Sequence, residues 1–183
     1  MKKIKLIAII GKAGSGKDTI LRLCLENDET LNKVIAYSTR PKREKEEDGV
    51  EYKFIEPALF HAKVLNKDII EHSVKNDWWY GTDINAYDPK RVNIGIYDIS
   101  RIPYLIDDPR FDLTIVYVYV EDKTRLLRQL QREKSPNIDE IIRRYSSDKK
   151  DFEAMEFAPN LVVKNELMTD LIPAVYKILG KDN

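Results

Sequence analysis

The sequence predicts an α/β fold, in which a parallel sheet is covered by helices on both faces. The first observation is the run at residues 4–10, which is apolar enough for a central strand buried on both sides. The second is that further strand-like runs alternate with helix-like patterns, as they do in parallel sheets. The third is the length: 183 residues suffice for one such domain and are few for two.

The first half of the chain alternates strands and helices. The predicted elements after the first strand are a helix at 17–26, a strand at 34–38, a strand at 52–55, a helix at 57–65 and a strand at 69–74. The charged segment Thr-Arg-Pro-Lys-Arg-Glu-Lys-Glu-Glu-Asp-Gly is expected to be a loop, because Pro41 disfavours helix at Arg40 and the charges leave nothing to bury.

The second half continues the alternation. The predicted elements are strands at 92–99 and 113–120 with a short helix between them, helices at 122–133 and 138–155, a short strand at 160–165 and a closing helix at 166–179. Pro103 is expected in the first turn of the short helix, where its missing N–H is tolerated.

Composition excludes several classes of protein. Lys plus Arg and Asp plus Glu both number 31, so no global charge attracts nucleic acid or an anionic membrane. Cys24 is the single cysteine, which excludes an internal disulfide, and we expect it in the core. With two histidines, a zinc site is also excluded. No stretch is long enough to span a bilayer, and the N-terminal apolar run is too short for a signal peptide. We expect a cytoplasmic protein, either monomer or homodimer, that contacts neither nucleic acid nor membrane.

The segment Gly-Lys-Ala-Gly-Ser-Gly-Lys-Asp-Thr at 11–19 has the G-x-x-x-x-G-K pattern of a phosphate-binding loop between a strand and a helix. In such loops glycines turn backbone N–H groups toward phosphate, while the lysine and the helix N-terminus add positive charge. We therefore expect this loop to bind ATP and Mg²⁺. The residues assigned to the nucleotide are Gly11, Gly14, Ser15, Gly16, Lys17, Asp18 and Thr19.

Asp18 stands where the pattern has Ser or Thr as a ligand of Mg²⁺. Its carboxylate can meet the metal directly or through water. Alternatively Asp18 favours the start of the helix by its charge, and Thr19 meets the metal. Both residues remain metal candidates. The sequence Gly-Lys-Asp-Thr resembles a variant of this loop in some phage-type deoxynucleotide kinases.

A second anion site is predicted in the charged loop. Arg40 and Arg43 lie three residues apart and can converge on one phosphate, to which Tyr52 can add a hydroxyl. Taken alone, the segment favours a solvated surface loop over a phosphate site.

This segment resembles the guanylate kinase family, whose pattern S/T-T-R-x-P-R-x-G-E-x-D-G-x-x-Y-x-F is echoed in Ser-Thr-Arg-Pro-Lys-Arg at 38–43 and Asp-Gly-Val-Glu-Tyr-Lys-Phe at 48–54. The resemblance continues in order through IIEHSVKNDWWYGT, IYDI, RLLRQLQREKSPNIDEIIRRY and FAPNLVVKNEL. It implies a three-layer P-loop nucleoside triphosphate hydrolase fold in a single domain over 1–183. The implied parts are a core (1–37, 91–122 and 160–183), a monophosphate-binding subdomain (38–90) and a lid region (123–159).

The resemblance implies an ATP-dependent nucleoside monophosphate kinase acting on GMP, dGMP or a related nucleotide. The residues implied for the acceptor are Ser38, Arg40, Arg43, Tyr52, Glu71, Tyr80, Thr82 and Asp98. Among these, Glu71 would accept hydrogen bonds from adjacent ring N–H and amino groups, as guanine has. The catalytic residues would be Lys17, Arg132 and Arg144. Arg128 and Arg143 are alternative lid positions.

Three departures from the family pattern concern the base. Ala36 replaces a serine that reads the guanine carbonyl, Ser100-Arg101 replaces a glutamine–glycine, and Ile96 replaces an aspartate. A different base or a relaxed preference is therefore open. Trp78 and Trp79 are expected to extend an aromatic wall of the acceptor site beside Tyr80. Two alternative functions remain: a catalytically inactive guanylate-kinase-like binding module, and a small-molecule P-loop kinase.

Overall fold

The structure is a computed structural model that describes residues 2–44, 46–132 and 134–182. Its strands are β1 (Ile4–Ile10), β2 (Asn32–Lys33), β3 (Tyr37–Ser38), β4 (Lys53–Phe54), β5 (Ile69–Lys75), β6 (Trp78–Asp83), β7 (Asn93–Ile96), β8 (Phe111–Tyr119) and β9 (Leu161–Lys164). Its α-helices are α1 (Lys17–Asn27), α2 (Pro57–Leu65), α3 (Ile102–Ile106), α4 (Asp122–Gln131), α5 (Ile138–Glu153) and α6 (Leu171–Leu179).

The strands form two sheets. The first has the order β2-β7-β1-β8-β9, with parallel pairing of β2 to β7 and of β8 to β9. The second has the order β4-β3-β6-β5, in which β6 runs antiparallel to both β3 and β5. The predicted α/β class with a parallel sheet is confirmed by the first sheet. The second sheet, with its antiparallel pairs, was not anticipated.

The predicted strand at 34–38 is wrong as a single element, because the chain changes sheets there. The backbone N–H of Val34 donates to Ile94 in the first sheet, whereas the carbonyl of Ala36 accepts from Lys53 in the second. Two residues thus separate hydrogen bonds to different sheets, and periodicity alone does not report such a change of partner.

The strand β6 was also missed. It pairs with β5 through a two-residue turn, Asn76-Asp77, whose φ angles of 51° and 62° are those of a hairpin turn with both central residues left-handed. Asn and Asp tolerate this conformation better than most residues.

Several helix boundaries differ from the prediction by a few residues, among them those of the fourth and the closing helix. The helix predicted at 122–133 ends at Gln131, and Glu133 lies outside the described residues. The closing helix begins at Leu171 instead of 166, after a 3₁₀ turn at Met168–Asp170. The Asp170 carboxylate accepts the backbone N–H groups of Glu166 and Leu167 at 2.8 Å, which holds these residues out of the helix.

The chain divides into two compact units, one of Met1–Leu6 with Thr30–Leu113 and the other of Ile7–Glu29 with Thr114–Asn183. In the second unit α1 packs on α6, and Cys24 is fully buried, as expected. Burial raises the pKa of the Cys24 thiol to about 12, so it remains a thiol at neutral pH. Among the described residues, no helix combines the length and apolar character that crossing a membrane requires.

Candidate active site

The phosphate loop has a backbone that only glycine adopts readily. Gly14 and Gly16 have φ angles of +81° and +84°, in the left-handed region. A Cβ at Gly14 would lie 2.5 Å from the carbonyl oxygen of Arg125, and one at Gly16 would lie 2.5 Å from Nδ2 of Asn165. The loop is therefore packed closely against α4 and the segment after β9.

The loop already binds a carboxylate. The backbone N–H of Ala13 donates to Oδ2 of Asp148, on α5, at 2.6 Å. The Lys17 ammonium donates to the carbonyls of Gly11 at 2.6 Å and Lys12 at 3.1 Å, which holds its charge on the loop. An N–H group that donates to an anion beside this ammonium is suited to a phosphate.

A buried hydroxyl lies in the same loop. Ser15 is 1% exposed, and its Oγ has no hydrogen-bond partner in the described part of the chain. The carbonyl of Ser15 accepts Nδ2 of Asn165 at 2.8 Å. The glycine backbone, the lysine and this hydroxyl fit a nucleoside triphosphate.

The two metal candidates lie in the first turn of α1. Asp18 is exposed and Thr19 is half-buried. Over the described ranges, no group of three or more His, Cys, Asp or Glu side chains is arranged to hold a metal ion. Because Mg²⁺ accepts phosphate oxygens and water as ligands, one protein ligand beside a bound triphosphate fits it.

Two of the predicted lid arginines share one carboxylate. Arg143 donates to both oxygens of Glu140 at 2.7 and 2.9 Å, and Arg144 donates to Oε1 at 2.7 Å. The hydrogen bonds from Arg143 and Arg144 lower the pKa of Glu140 to about 2. Arg132 is exposed directly after α4, and Arg128 donates to the carbonyls of Asn165 and Glu166 at 2.7 and 3.0 Å.

Arg125 is a lid-region arginine that sequence reasoning missed. It is fully buried, bonded to Asp122 at 2.8 Å and Asp148 at 3.4 Å, and its guanidinium carbon lies 4.4 Å from the centre of the Tyr145 ring. Its guanidinium bonds the carboxylate that binds the loop, and its own backbone carbonyl is the group packed against Gly14. The one sequence signal was Asp122 three residues earlier, a spacing that also occurs in exposed helical ion pairs.

Four predicted acceptor residues share one face of the second sheet. Ser38 and Ser73 are both paired with Tyr80, and Glu71 is paired with Thr82. Residues directly opposite on neighbouring strands point to the same side, so these side chains form one polar row. Ser38, Glu71 and Thr82 are buried, and Tyr80 is half-buried.

Arg40 and Arg43 meet at one carboxylate, that of Glu46. The Arg40 guanidinium binds both Glu46 oxygens at 2.7 and 2.5 Å, and the backbone N–H of Arg43 donates to Glu46 Oε2 at 2.9 Å. Arg40 also lies over Tyr52, 5.3 Å from the ring centre. Burial raises the pKa of the Tyr52 phenol to about 12, so it stays a neutral donor. The segment thus binds an anionic group through the guanidinium of Arg40 and the backbone N–H of Arg43.

The expected aromatic wall is wrong for Trp79. Side chains alternate along β6, so Trp79 points away from Tyr80 and packs against His61 on α2, with ring centres 4.8 Å apart. Trp78 lies two residues before Tyr80 and is 37% exposed. The remaining predicted acceptor residue, Asp98, pairs with Lys75 Nζ at 2.7 Å.

The predicted base-reading carboxylate has a buried partner. Arg101 Nη1 lies 3.3 Å from both oxygens of Glu71, which has no exposed surface. Burial raises the pKa of Glu71 to about 7, against the opposing charge of Arg101. The sequence marked Arg101 only as a departure from a pattern, because nothing local indicates that its side chain reaches a residue 30 positions earlier.

Comparison with known proteins decides the family. A family model described as guanylate kinase matches residues 3–182. The chain belongs to the guanylate kinase family.

Relatives of the family support this assignment at modest identity. The guanylate kinase of Hydrogenovibrio crunogenus is 36% identical over 85 residues, which cover 46% of this chain and 42% of that protein. The guanylate kinase of Paramagnetospirillum magneticum is 29% identical over 143 residues, covering 76% of this chain and 66% of that protein. The chain therefore matches less than two thirds of the length of either relative.

The fold matches a solved structure over nearly its whole length. The crystal structure of guanylate kinase from Anaplasma phagocytophilum aligns with a TM-score of 0.67, covering 98% of this chain and 87% of that one at 19% identity. The P-loop kinase fold expected from the sequence is thereby confirmed.

Proposed function

We propose that this chain is an ATP-dependent nucleoside monophosphate kinase that transfers the γ-phosphoryl group of ATP to GMP, dGMP or a related monophosphate. The observation that carries the proposal is the phosphate loop. Its Ala13 N–H binds a carboxylate at 2.6 Å beside the Lys17 ammonium, and its left-handed glycines leave no room for side chains. Membership of the guanylate kinase family supports the same reaction.

The donor nucleotide would be held by the loop over residues 11–19, with Lys17 neutralising phosphate oxygens and Asp18 or Thr19 meeting the metal. Bound Mg²⁺ supplies charge compensation for the transferring phosphoryl group. Arg132 and Arg144 of the lid region 123–159 would stabilise that charge as well. The bond from Arg144 to Glu140 uses Nε, at 2.7 Å, so its Nη groups can make this contact.

The acceptor would be held by the monophosphate-binding subdomain at 38–90. Arg40 and Arg43 would bind its phosphate in place of Glu46, with Tyr52 donating its hydroxyl. The polar row on β3, β5 and β6 would face the base. Phosphoryl transfer needs little covalent chemistry from the protein, so catalysis depends on positioning and charge stabilisation by these groups.

ADP formation by the purified protein with Mg-ATP and each ribo- and deoxyribonucleoside monophosphate tests the proposal. Lys17→Ala is expected to lower the rate at least about 10²-fold, the scale of removing a preorganised electrostatic group. Arg22→Ala is the matched control, because Arg22 is a cation of the same helix in an exposed ion pair with Glu26. Arg43→Ala is expected to raise the KM for the monophosphate more than it lowers kcat.

Unchanged turnover in Lys17→Ala would refute the donor assignment. Nucleotide binding without turnover for any monophosphate would instead support a binding module.

A further inference from the structure

The base-reading carboxylate is engaged by an internal cation. Glu71 has no exposed surface and Arg101 is 2% exposed. A single guanidinium nitrogen faces both carboxylate oxygens at 3.3 Å. This nitrogen uses acceptor capacity of the carboxylate that a base with adjacent ring N–H and amino donors would need. A base that donates to Glu71 must therefore compete with a charged group of the protein itself.

Arg101 retains donors for another ligand. A guanidinium has five N–H groups. Apart from its bonds to Glu71, Arg101 donates from Nη2 to the carbonyl of Ile96 at 3.5 Å, and its Nε has no partner among the residues described. The distance of 3.5 Å marks the bond to Ile96 as weak. The Glu71–Arg101 pair therefore keeps a guanidinium donor without a partner, at Nε.

A neighbouring hydroxyl is in the same condition. Ser73 shares the sheet face of Glu71, and within the described ranges its hydroxyl oxygen has no hydrogen-bond partner. Buried polar groups without partners cost free energy. A ligand that offers acceptor atoms to this cluster offsets that cost.

Ala36 lies in the same row. The register of β3 with β6 pairs Tyr37 with Gly81, and its continuation sets Ala36 opposite Thr82. Its methyl group can donate nothing to a base carbonyl. Thr82 is paired in turn with Glu71, the residue that Arg101 bonds.

We propose that Arg101 determines the base specificity of the acceptor site: it withdraws Glu71 from reading amino groups and donates to base carbonyl oxygens itself. The acceptors are then monophosphates of oxo bases, namely guanine, hypoxanthine, thymine and uracil, without a requirement for the 2-amino group of guanine. Adenine is rejected, because its amino group would set a donor against the donors of Arg101. This inference rests on the proposed kinase function and specifies its acceptor.

The test compares GMP, IMP and AMP as acceptors for the wild type and Arg101→Ala. GMP and IMP differ only by the 2-amino group, and their kcat/KM values are expected to be similar in the wild type. In Arg101→Ala the freed Glu71 carboxyl accepts the 2-amino group, so the GMP-to-IMP ratio rises about five- to tenfold, the worth of one neutral hydrogen bond. Arg110→Ala, an arginine of the same unit in an exposed ion pair, is the control and leaves the ratio unchanged.

A second pair of variants tests the donor role. Arg101→Lys keeps the charge beside Glu71 but has fewer donors, so it is expected to narrow the preference for IMP over AMP. Adding Ala36→Ser to Arg101→Lys restores a hydroxyl near the base and should recover that preference. If thermal unfolding shows that Arg101→Ala does not fold, the proposal is tested with Arg101→Lys and with Arg101→Lys combined with Ala36→Ser.

Dissociation constants of GMP, IMP and AMP, measured by calorimetry without ATP, separate this inference from the proposed function. The same ratios in binding without any turnover would support the role of Arg101 and refute the kinase. Turnover with a wild-type GMP-to-IMP ratio above about tenfold, unchanged in Arg101→Ala, would overturn the inference and leave the kinase standing. Binding of none of the three would overturn both.

Discussion

Replacing Gly14 by alanine separates two costs that the phosphate loop imposes on a side chain. The φ angle of +81° costs a non-glycine residue about 1–2 kcal/mol. The new Cβ would also lie 2.5 Å from the carbonyl oxygen of Arg125, and overpacking of this kind typically costs about 1–3 kcal/mol. We expect Gly14→Ala to lower the free energy of unfolding by about 2–5 kcal/mol. The loop must move away from α4, so ATP affinity should fall at least about tenfold, the loss of one hydrogen bond to a charged group.

Gly180→Ala is the matched control within the same compact unit. Gly180 also has a left-handed φ, +63°, but a Cβ there meets no atom within 4 Å. It therefore carries the conformational cost alone, about 1 kcal/mol, and should leave ATP binding unchanged. Urea unfolding gives the two free energies, and calorimetric titration gives the ATP dissociation constants. If the two variants lost the same stability and bound ATP equally well, the contact of the loop with α4 would not constrain it.

Two further predictions concern carboxylates in the two compact units. Asp148→Asn is expected to tighten ATP binding about tenfold, because the charged acceptor that competes for the Ala13 N–H is removed. Asp151→Asn on the same helix is the control. Weaker ATP binding in Asp148→Asn would mean that Asp148 assists the loop. Glu71 has a folded-state pKa of about 7, above the ordinary 4.5, so the stability linked to its protonation is lost as pH rises through this window, by up to about 3 kcal/mol. Glu71→Gln is expected to lower overall stability but to flatten the dependence of the unfolding free energy on pH between pH 4.5 and 7. Parallel pH profiles of unfolding free energy for the wild type and Glu71→Gln would contradict this.

The local parts of the donor site could be predicted from sequence. The loop at 11–19 is a contiguous segment whose glycines, lysine and position between β1 and α1 all act within a few residues of one another. The helix α2 was predicted with its observed bounds, because Pro57 begins it and its neighbours are good helix formers. The acceptor residues on β5 and β6 were found through the resemblance, although β6 itself was not recognised as a strand.

The sequence by itself determined the α/β class and the phosphate-loop pattern, and it predicted a set of acceptor residues. Only the tertiary structure decided which charges those sites contain. Asp148 reaches the backbone of Ala13 across 135 positions, and Arg101 reaches Glu71 across 30. Such partners depend on how strands and helices are brought together, and no local periodicity or capping pattern encodes them. For that reason the sequence identified Glu71 as a reader of the base, whereas the fold shows it already paired with Arg101.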